Sequence, residues 1–128
     1  MAFTGDTLFS LGCGRIFEGS HEQMLSSLNK IKKLPKDTKI YCGHEYTYKN
    51  GEFCMKYDKG NLDLQKQFER VKLLRLKNQP TVPTTLDDEL KTNIFLRCNK
   101  NDLKIKLSMK NDEDYKVFAK VRDLKDSF

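Results

Sequence analysis

A strand, a helix and a second strand succeed one another within the first 42 residues, and this order constrains the fold more than any other feature of the chain. Residues 3–9, FTGDTLF, read as an apolar strand broken by Gly5-Asp6, and the turn-rich GCGR follows at 12–15. Ser20 is placed as a helix N-cap, with Gln23 three residues on completing a capping box. Met24, Leu25, Leu28 and Ile31 then recur at helical spacing until Leu34-Pro35 closes the helix. TKIYC, residues 38–42, is a short strand. Two strands joined through one helix over so short a span predict a β-α-β unit with parallel pairing.

Beyond His44 the pattern turns helical. Leu64, Phe68, Val71 and Leu74 mark an amphipathic helix over about residues 61–78, and QPTVPTT at 79–85 is an extended linker, since proline disfavours helix in the residue before it. Thr85 caps a short helix running to about Leu90, and Asn111 with Asp114 caps a last helix carrying Tyr115, Phe118 and Ala119. LKIKLSM, residues 103–109, alternates apolar and polar side chains, the pattern of a half-buried strand. There are no repeats and no low-complexity segments.

Composition narrows the function classes. The chain has 128 residues, a hydrophobic share of 38% and a mean hydropathy of −0.69, below the usual apolar content of a compact globule, which predicts a peripheral or partial domain. No apolar run reaches the length of a membrane helix and no leader pattern opens the chain, so the expectation is a soluble intracellular protein without a membrane partner. The net charge is +6, but only 5 of the 24 basic residues are arginine, and the lysines form no stripe alternating with aromatics. That argues against nucleic acid and leaves a milder preference for small anions. The cysteines at 13, 42, 54 and 98 form no CxxC pair and are expected as free thiols.

Two residues stand where open α/β sheets hold their ligands, past the C-terminal ends of strands. Asp6 is either a turn aspartate bonding its own backbone or a carboxylate presented at a strand end; His44 is either a structural hydrogen-bonder or a metal ligand. His21, in the first turn of a helix, reads as solvated. Two candidate ligands do not complete a catalytic metal centre, which takes at least three protein groups. Arg122 and Lys125, three apart on the last helix, form either an ordinary solvated face or an anion clamp beside Phe118.

Taken together, FTGDTLFSLGCGRIFEG (3–19), YCGHEYT (41–47), PTVPTTLDDE (80–89), NIFLR (93–97) and VRDLKDSF (121–128) resemble, in order and spacing, glyoxalase II, the hydroxyacylglutathione hydrolases of the metallo-β-lactamase superfamily. The resemblance implies an α/β fold: the C-terminal part of the metallo-β-lactamase αββα sandwich over residues 1–45, then a helical glutathione-binding domain over 46–128. It implies hydrolysis of S-D-lactoylglutathione to D-lactate and glutathione at a binuclear centre of divalent metals, zinc first, with iron or manganese as alternatives. In that scheme Asp6 bridges the two metals, His44 is a terminal ligand, and coordination makes water a nucleophile at neutral pH. The thioester substrate would be held by Arg15, Phe17, Tyr46, Arg122 and Lys125, the last two on the glycyl carboxylate of glutathione. Phe17 stands where many members carry tyrosine, a lost hydroxyl worth on the order of 1 kcal/mol of binding. The resemblance also implies helix, not strand, at 103–109, capped by Asn99 or Asn101.

The histidine-rich T-H-x-H-x-D-H motif of the family is absent from these 128 residues. The expectation is therefore roughly the C-terminal half of such an enzyme, inactive alone, whose partner is the missing N-terminal half. A face bearing Phe3, Leu8 and Ile40 would be left uncovered, which predicts self-association. The expected location is the cytoplasm, with the mitochondrion as the open alternative. Two rival readings are a persulfide dioxygenase-like relative, and a non-catalytic module that binds glutathione or a partner chain.

Overall fold

The structure, a computed structural model, describes residues 1–5, 7–14, 21–42 and 46–128. Strand β1 (Ala2–Gly5) lies parallel to β4 (Lys39–Cys42), with Ala2 opposite Ile40 and Gly5 opposite Cys42, and helix α1 (His21–Lys32) falls between them in the chain. The predicted β-α-β unit is present. Leu28 is the fully buried anchor of α1, and Met24, Leu25 and Ile31 pack partly buried around it, as their spacing requires. Ser20, the expected cap, lies outside the described residues.

The stretch read as one strand at 3–9 is two. β2 (Leu8–Phe9) leaves the sheet and folds antiparallel onto β3 (Gly12–Cys13), a pairing inside what the sequence pattern marks as turn. The tip of this hairpin is Ser10-Leu11, and Leu11 has φ 60°, a left-handed conformation unusual for a side chain of its size. The expected linker at 79–85 ends in β5 (Thr84–Thr85), which pairs antiparallel with β4.

Helix α2 (Thr47–Tyr57) has no counterpart in the sequence reading. Its start carries no side-chain cap, and Asn50-Gly51 in its interior are poor helix formers, so tertiary packing must supply what local propensity lacks. Gly51 is there for contact: the Phe68 ring of α3 (Leu62–Leu76) occupies the space that a Cβ would fill. Leu64, Phe68 and Val71 are the buried stripe of α3, as periodicity predicts, and Asn61 caps the helix by accepting from the Leu64 N–H.

Thr85 caps α4 (Leu86–Thr92) by accepting from the Asp88 N–H at 3.2 Å, as expected. A 3-10 turn, Ile94–Leu96, follows. The segment at 103–109 is helical through Lys106, in α5 (Asn101–Lys106), so the alternation there is no strand: Leu103 is fully buried, Leu107 and Met109 pack partly buried against the core, and Ile105 is exposed. Neither Asn99 nor Asn101 caps it, since the cap position is Lys100 and makes no side-chain bond. The cap of α6 (Asp114–Asp126) is likewise Glu113 rather than Asn111, again without a side-chain bond.

One core joins the sheet region to the helices. Leu8, Leu11, Leu28 and Ile40 share it with Phe53, Leu64, Phe95 and Phe118. Phe95 stacks near Phe53 at 6.1 Å between centroids and meets Phe118 edge-on at 5.9 Å. Burying one such ring contributes about 1.5–3 kcal/mol. The expectation that Leu8 and Ile40 stand on an uncovered face is corrected here, because both are fully buried by the chain's own helices. Only Phe3 of that trio is exposed, stacked on Tyr41 at 5.2 Å.

Candidate active site

The parallel strands β1 and β4 end side by side, Gly5 opposite Cys42. Asp6 follows the first end by one residue and His44 follows the second by two. Both side chains, with those of Arg15 and Phe17, lie outside the described residues. The strands that lead to the two candidate ligands are nevertheless hydrogen-bonded neighbours, and this follows from sheet topology alone. Among the described residues no cluster of three His, Cys, Asp or Glu could hold a metal ion. The donor types at positions 6 and 44, a carboxylate and an imidazole, suit a divalent cation of borderline softness, but they are half a coordination set.

The hairpin Leu8–Cys13 follows directly after position 6, and the helical region grips it from three sides. Glu89, on the buried face of α4, is fully buried. Its Oε1 accepts from the Leu11 N–H at 2.7 Å and from Asn93 Nδ2 at 3.1 Å. Its Oε2 accepts from the hydroxyls of Thr84 at 2.9 Å and Ser10 at 3.3 Å. Burial pushes the Glu89 carboxyl up to about 7, although the four hydrogen bonds favour its charged form. Asn93 also donates to Phe9 O and Gly12 O, at 3.1 and 3.0 Å, so one amide spans both strands of the hairpin. From α2, Asn50 donates to Ser10 O and the Cys54 thiol to Leu11 O.

Arg122 closes the third side from α6. It is 2% exposed, and Nη1 donates to Cys13 O at 2.8 Å and Gly14 O at 3.2 Å. Its Nε and Nη2 engage Asp126 Oδ1 at 3.1 and 2.9 Å, and its guanidinium carbon sits 5.1 Å from the Phe95 ring centroid. Lys125, one residue before Asp126, is half-buried. The Arg122–Lys125 pair is therefore no ordinary solvated face, for the arginine is an internal strut. Its Nη2 is taken up by Asp126, whose side chain is 45% exposed.

Tyr46 stands at the start of α2, half-exposed, with its ring edge-on to Phe9 at 5.3 Å. It lines an open groove of about 720 Å³ with Tyr48 and Lys49 of α2 and Lys72, Arg75 and Leu76 of α3. Tyr46 through Phe9 and Arg122 through Cys13 thus hold opposite strands of the same hairpin. Two of the thiols are held protonated: burial raises Cys13 to about 11, against the pull of Arg122, and Cys54 to about 12.

Sequence reading missed Glu89, Asn93 and Asn50. A signal for the first two existed. Glu89 lies three residues after Leu86 and four before Asn93, so helical spacing puts a carboxylate and an amide on the apolar face of α4. Asn50 had no such signal, because the helix carrying it was itself unread.

The sequence model of the family described as "Hydroxyacylglutathione hydrolase C-terminus" matches residues 45–128. The chain belongs to the hydroxyacylglutathione hydrolase family. Curated relatives of that name agree along its whole length: 52% identity over 128 residues with the protein of Bartonella tribocorum and 51% with that of Bartonella henselae, each match covering 51% of the relative. The Pelagibacter ubique protein is 49% identical over 126 residues, 98% of this chain and 47% of the relative. The chain spans about half the length of the curated relatives it matches. In this member of the hydroxyacylglutathione hydrolase family, helices α2, α4 and α6 hold the hairpin that follows β1.

Proposed function

We propose that this chain is the C-terminal half of an enzyme hydrolysing S-D-lactoylglutathione and related 2-hydroxyacylglutathione thioesters. The observation that carries the reading is the side-by-side ending of β1 and β4, one residue before Asp6 and two before His44. In this proposal those two residues hold part of a binuclear divalent-metal centre, zinc before iron or manganese, within an αββα sandwich completed by a second polypeptide region. The chemistry such a centre supplies when bound is activation of water and polarisation of the thioester carbonyl.

The chain's own residues do the holding. Tyr46 offers a phenol beside the hairpin; Arg15 and Lys125 offer charge to the carboxylates of glutathione; Phe17 offers an apolar wall. Arg122 fixes the main chain at Cys13 and Gly14, and contacts the glycyl carboxylate by trading Asp126 for it. Phe3, exposed on β1 at the edge of the three-stranded sheet and stacked on the half-buried Tyr41 of β4, is the proposed contact for the remaining half or for a second copy of the chain, since a strand edge unpaired among the described residues accepts another. The proposal includes a cytoplasmic setting without nucleic-acid or membrane partners, and the free cysteines suit a reducing compartment.

The test mixes this chain with the N-terminal half of the Bartonella tribocorum relative and follows hydrolysis of S-D-lactoylglutathione with added zinc. Turnover is expected from the mixture and not from the 128 residues alone, and Asp6→Asn or His44→Ala should abolish it. A co-eluting complex without thioesterase activity, or one that consumes oxygen with glutathione persulfide instead, overturns the reading.

A further inference from the structure

The two oxygens of Glu89 face different chemistry. Oε1 meets two obligate donors, the Leu11 N–H and the Asn93 amide nitrogen. Neither nitrogen accepts a hydrogen bond, and the Asn93 amide is held in this orientation by Phe9 O, Gly12 O and the Phe95 N–H. Oε2 meets two hydroxyls, Thr84 and Ser10, and each of these can reverse from donor to acceptor by rotating about its C–O bond. The side chain is fully buried, and among the described residues no ion pair reaches it.

The residue it holds is itself constrained. Leu11 sits at φ 60° at the hairpin tip, fully buried, with its N–H on Glu89 and its carbonyl on the Cys54 thiol. A left-handed leucine persists only where its surroundings over-determine it. Those surroundings are Cys54 and Asn50 from α2, Thr84 from β5, and Glu89 and Asn93 from α4 and its end. Of these facing groups only Cys54 titrates besides Glu89, and its thiol, raised to about 12 by burial, stays neutral. The buried residues of α3, which packs against α4, are Leu64, Phe68 and Val71 and bring no charge.

We propose that Glu89 is a proton-accepting latch, whose Oε1 keeps the hairpin tip fastened in both charge states while Oε2 takes up a proton and donates it to the Thr84 or Ser10 hydroxyl. Protonation on Oε2 breaks no hydrogen bond. It reverses one, and the hydroxyl passes its own donor on or leaves it free. The geometry therefore makes Glu89 a positioning residue for the hairpin that follows Asp6, insensitive to its own ionisation. The upward displacement of the carboxyl to about 7 is in line with this, because burial without a cation favours the neutral acid. The consequence for the metal-bridging position rests on the hydrolase reading; the latch itself does not, and it is tested without substrate.

The experiment uses the 128-residue chain with carbon-13 at the glutamate carboxyls and nitrogen-15 at the amides. The Glu89 carboxyl is expected to titrate near neutrality, and the Leu11 amide is expected to keep its exchange protection relative to that of the other core amides, which report the pH-dependent global stability, on both sides of that midpoint. Glu89→Gln, a fixed analogue of the neutral acid that accepts on Oε1 and donates toward Thr84, should retain Leu11 protection, taken relative to the other core amides of the same protein, within about threefold, whereas Glu89→Ala should lose at least about tenfold on the same scale. Should Glu89→Ala fail to fold, the wild-type titration and the Gln variant still decide. A Glu89 midpoint in the ordinary carboxylate range, Leu11 protection that collapses as the proton binds, or a Gln variant as damaged as the Ala variant would each overturn the latch.

Discussion

Arg97→Ala should remove about 2–4 kcal/mol of folding stability, and the cause is the carboxylate it leaves behind. Asp58, at the C-terminal end of α2, is fully buried, and its Oδ2 accepts from Arg97 Nη1. Arg97 Nη2 also reaches Asp102 of α5 at 2.6 Å, but that carboxylate is 56% exposed. Removing one partner of a buried pair typically costs about 3–5 kcal/mol, because the other charge stays buried without compensation. Here Lys106 Nζ and Asn61 Nδ2 remain on Asp58, each at 3.2 Å, which moves the figure toward the lower end. The Asp102 limb adds no more than about 1 kcal/mol, as exposed pairs do. For a chain of this size the sum corresponds to a fall in Tm of about 8–16 °C. Urea denaturation followed by circular dichroism measures it, with m unchanged if the native state is intact. Asp102→Asn should cost less than about 1 kcal/mol. Adding Asp58→Asn to Arg97→Met should recover part of the loss, because the orphaned charge is gone. Equal costs for Arg97→Ala and Asp102→Asn, or further destabilisation by the second change, would show that the buried carboxylate is not the origin.

Gly51→Ala should destabilise by about 1–3 kcal/mol, against the usual gain from replacing a helical glycine, because the new Cβ would overlap the Phe68 ring carbons; a stabilised variant in thermal melts would refute the contact. The raised Glu89 carboxyl favours the folded state fully below its ordinary value of 4.5, and that contribution is lost as pH rises through about 7. Relative to Glu89→Gln, wild-type stability should therefore fall by on the order of 3 kcal/mol between pH 4 and pH 8, and a pH-independent difference in denaturation midpoints counts against it. In the reconstituted enzyme Lys125→Ala should raise KM with kcat nearly kept, since in the proposed role it would hold a remote carboxylate alike in ground and transition states, and an equal fall in kcat and kcat/KM would remove it from that role. Arg122→Ala should add a loss of stability to any rise in KM, because Cys13 O and Gly14 O lose their donor; a variant as stable as the parent would contradict the strut.

Local signals in the sequence determined the elements that hold themselves together. The parallel β-α-β unit, the buried stripe of α3 and the Thr85 cap of α4 are each written in spacings of three or four residues or in one hydroxyl at a helix start, and these act over a single turn. The same locality carried the quoted motifs that place Asp6 and His44 after strand ends. Helix α2 escaped because it contradicts local propensity: Gly51 weakens the helix, and only the Phe68 ring from another helix explains its presence. The hairpin escaped because two strands of two residues each have no periodicity to read. Its left-handed Leu11 is held by Glu89, 78 positions away in the chain. Arg122 shows the division within one residue. Its charge and its spacing to Lys125 suggested an anion clamp, but burial against Phe95 and bonds to main-chain oxygens 108 and 109 positions distant make it a strut first. Local chemistry depends on neighbours in sequence. A buried polar network depends on which groups lose water together, and only the tertiary arrangement decides that.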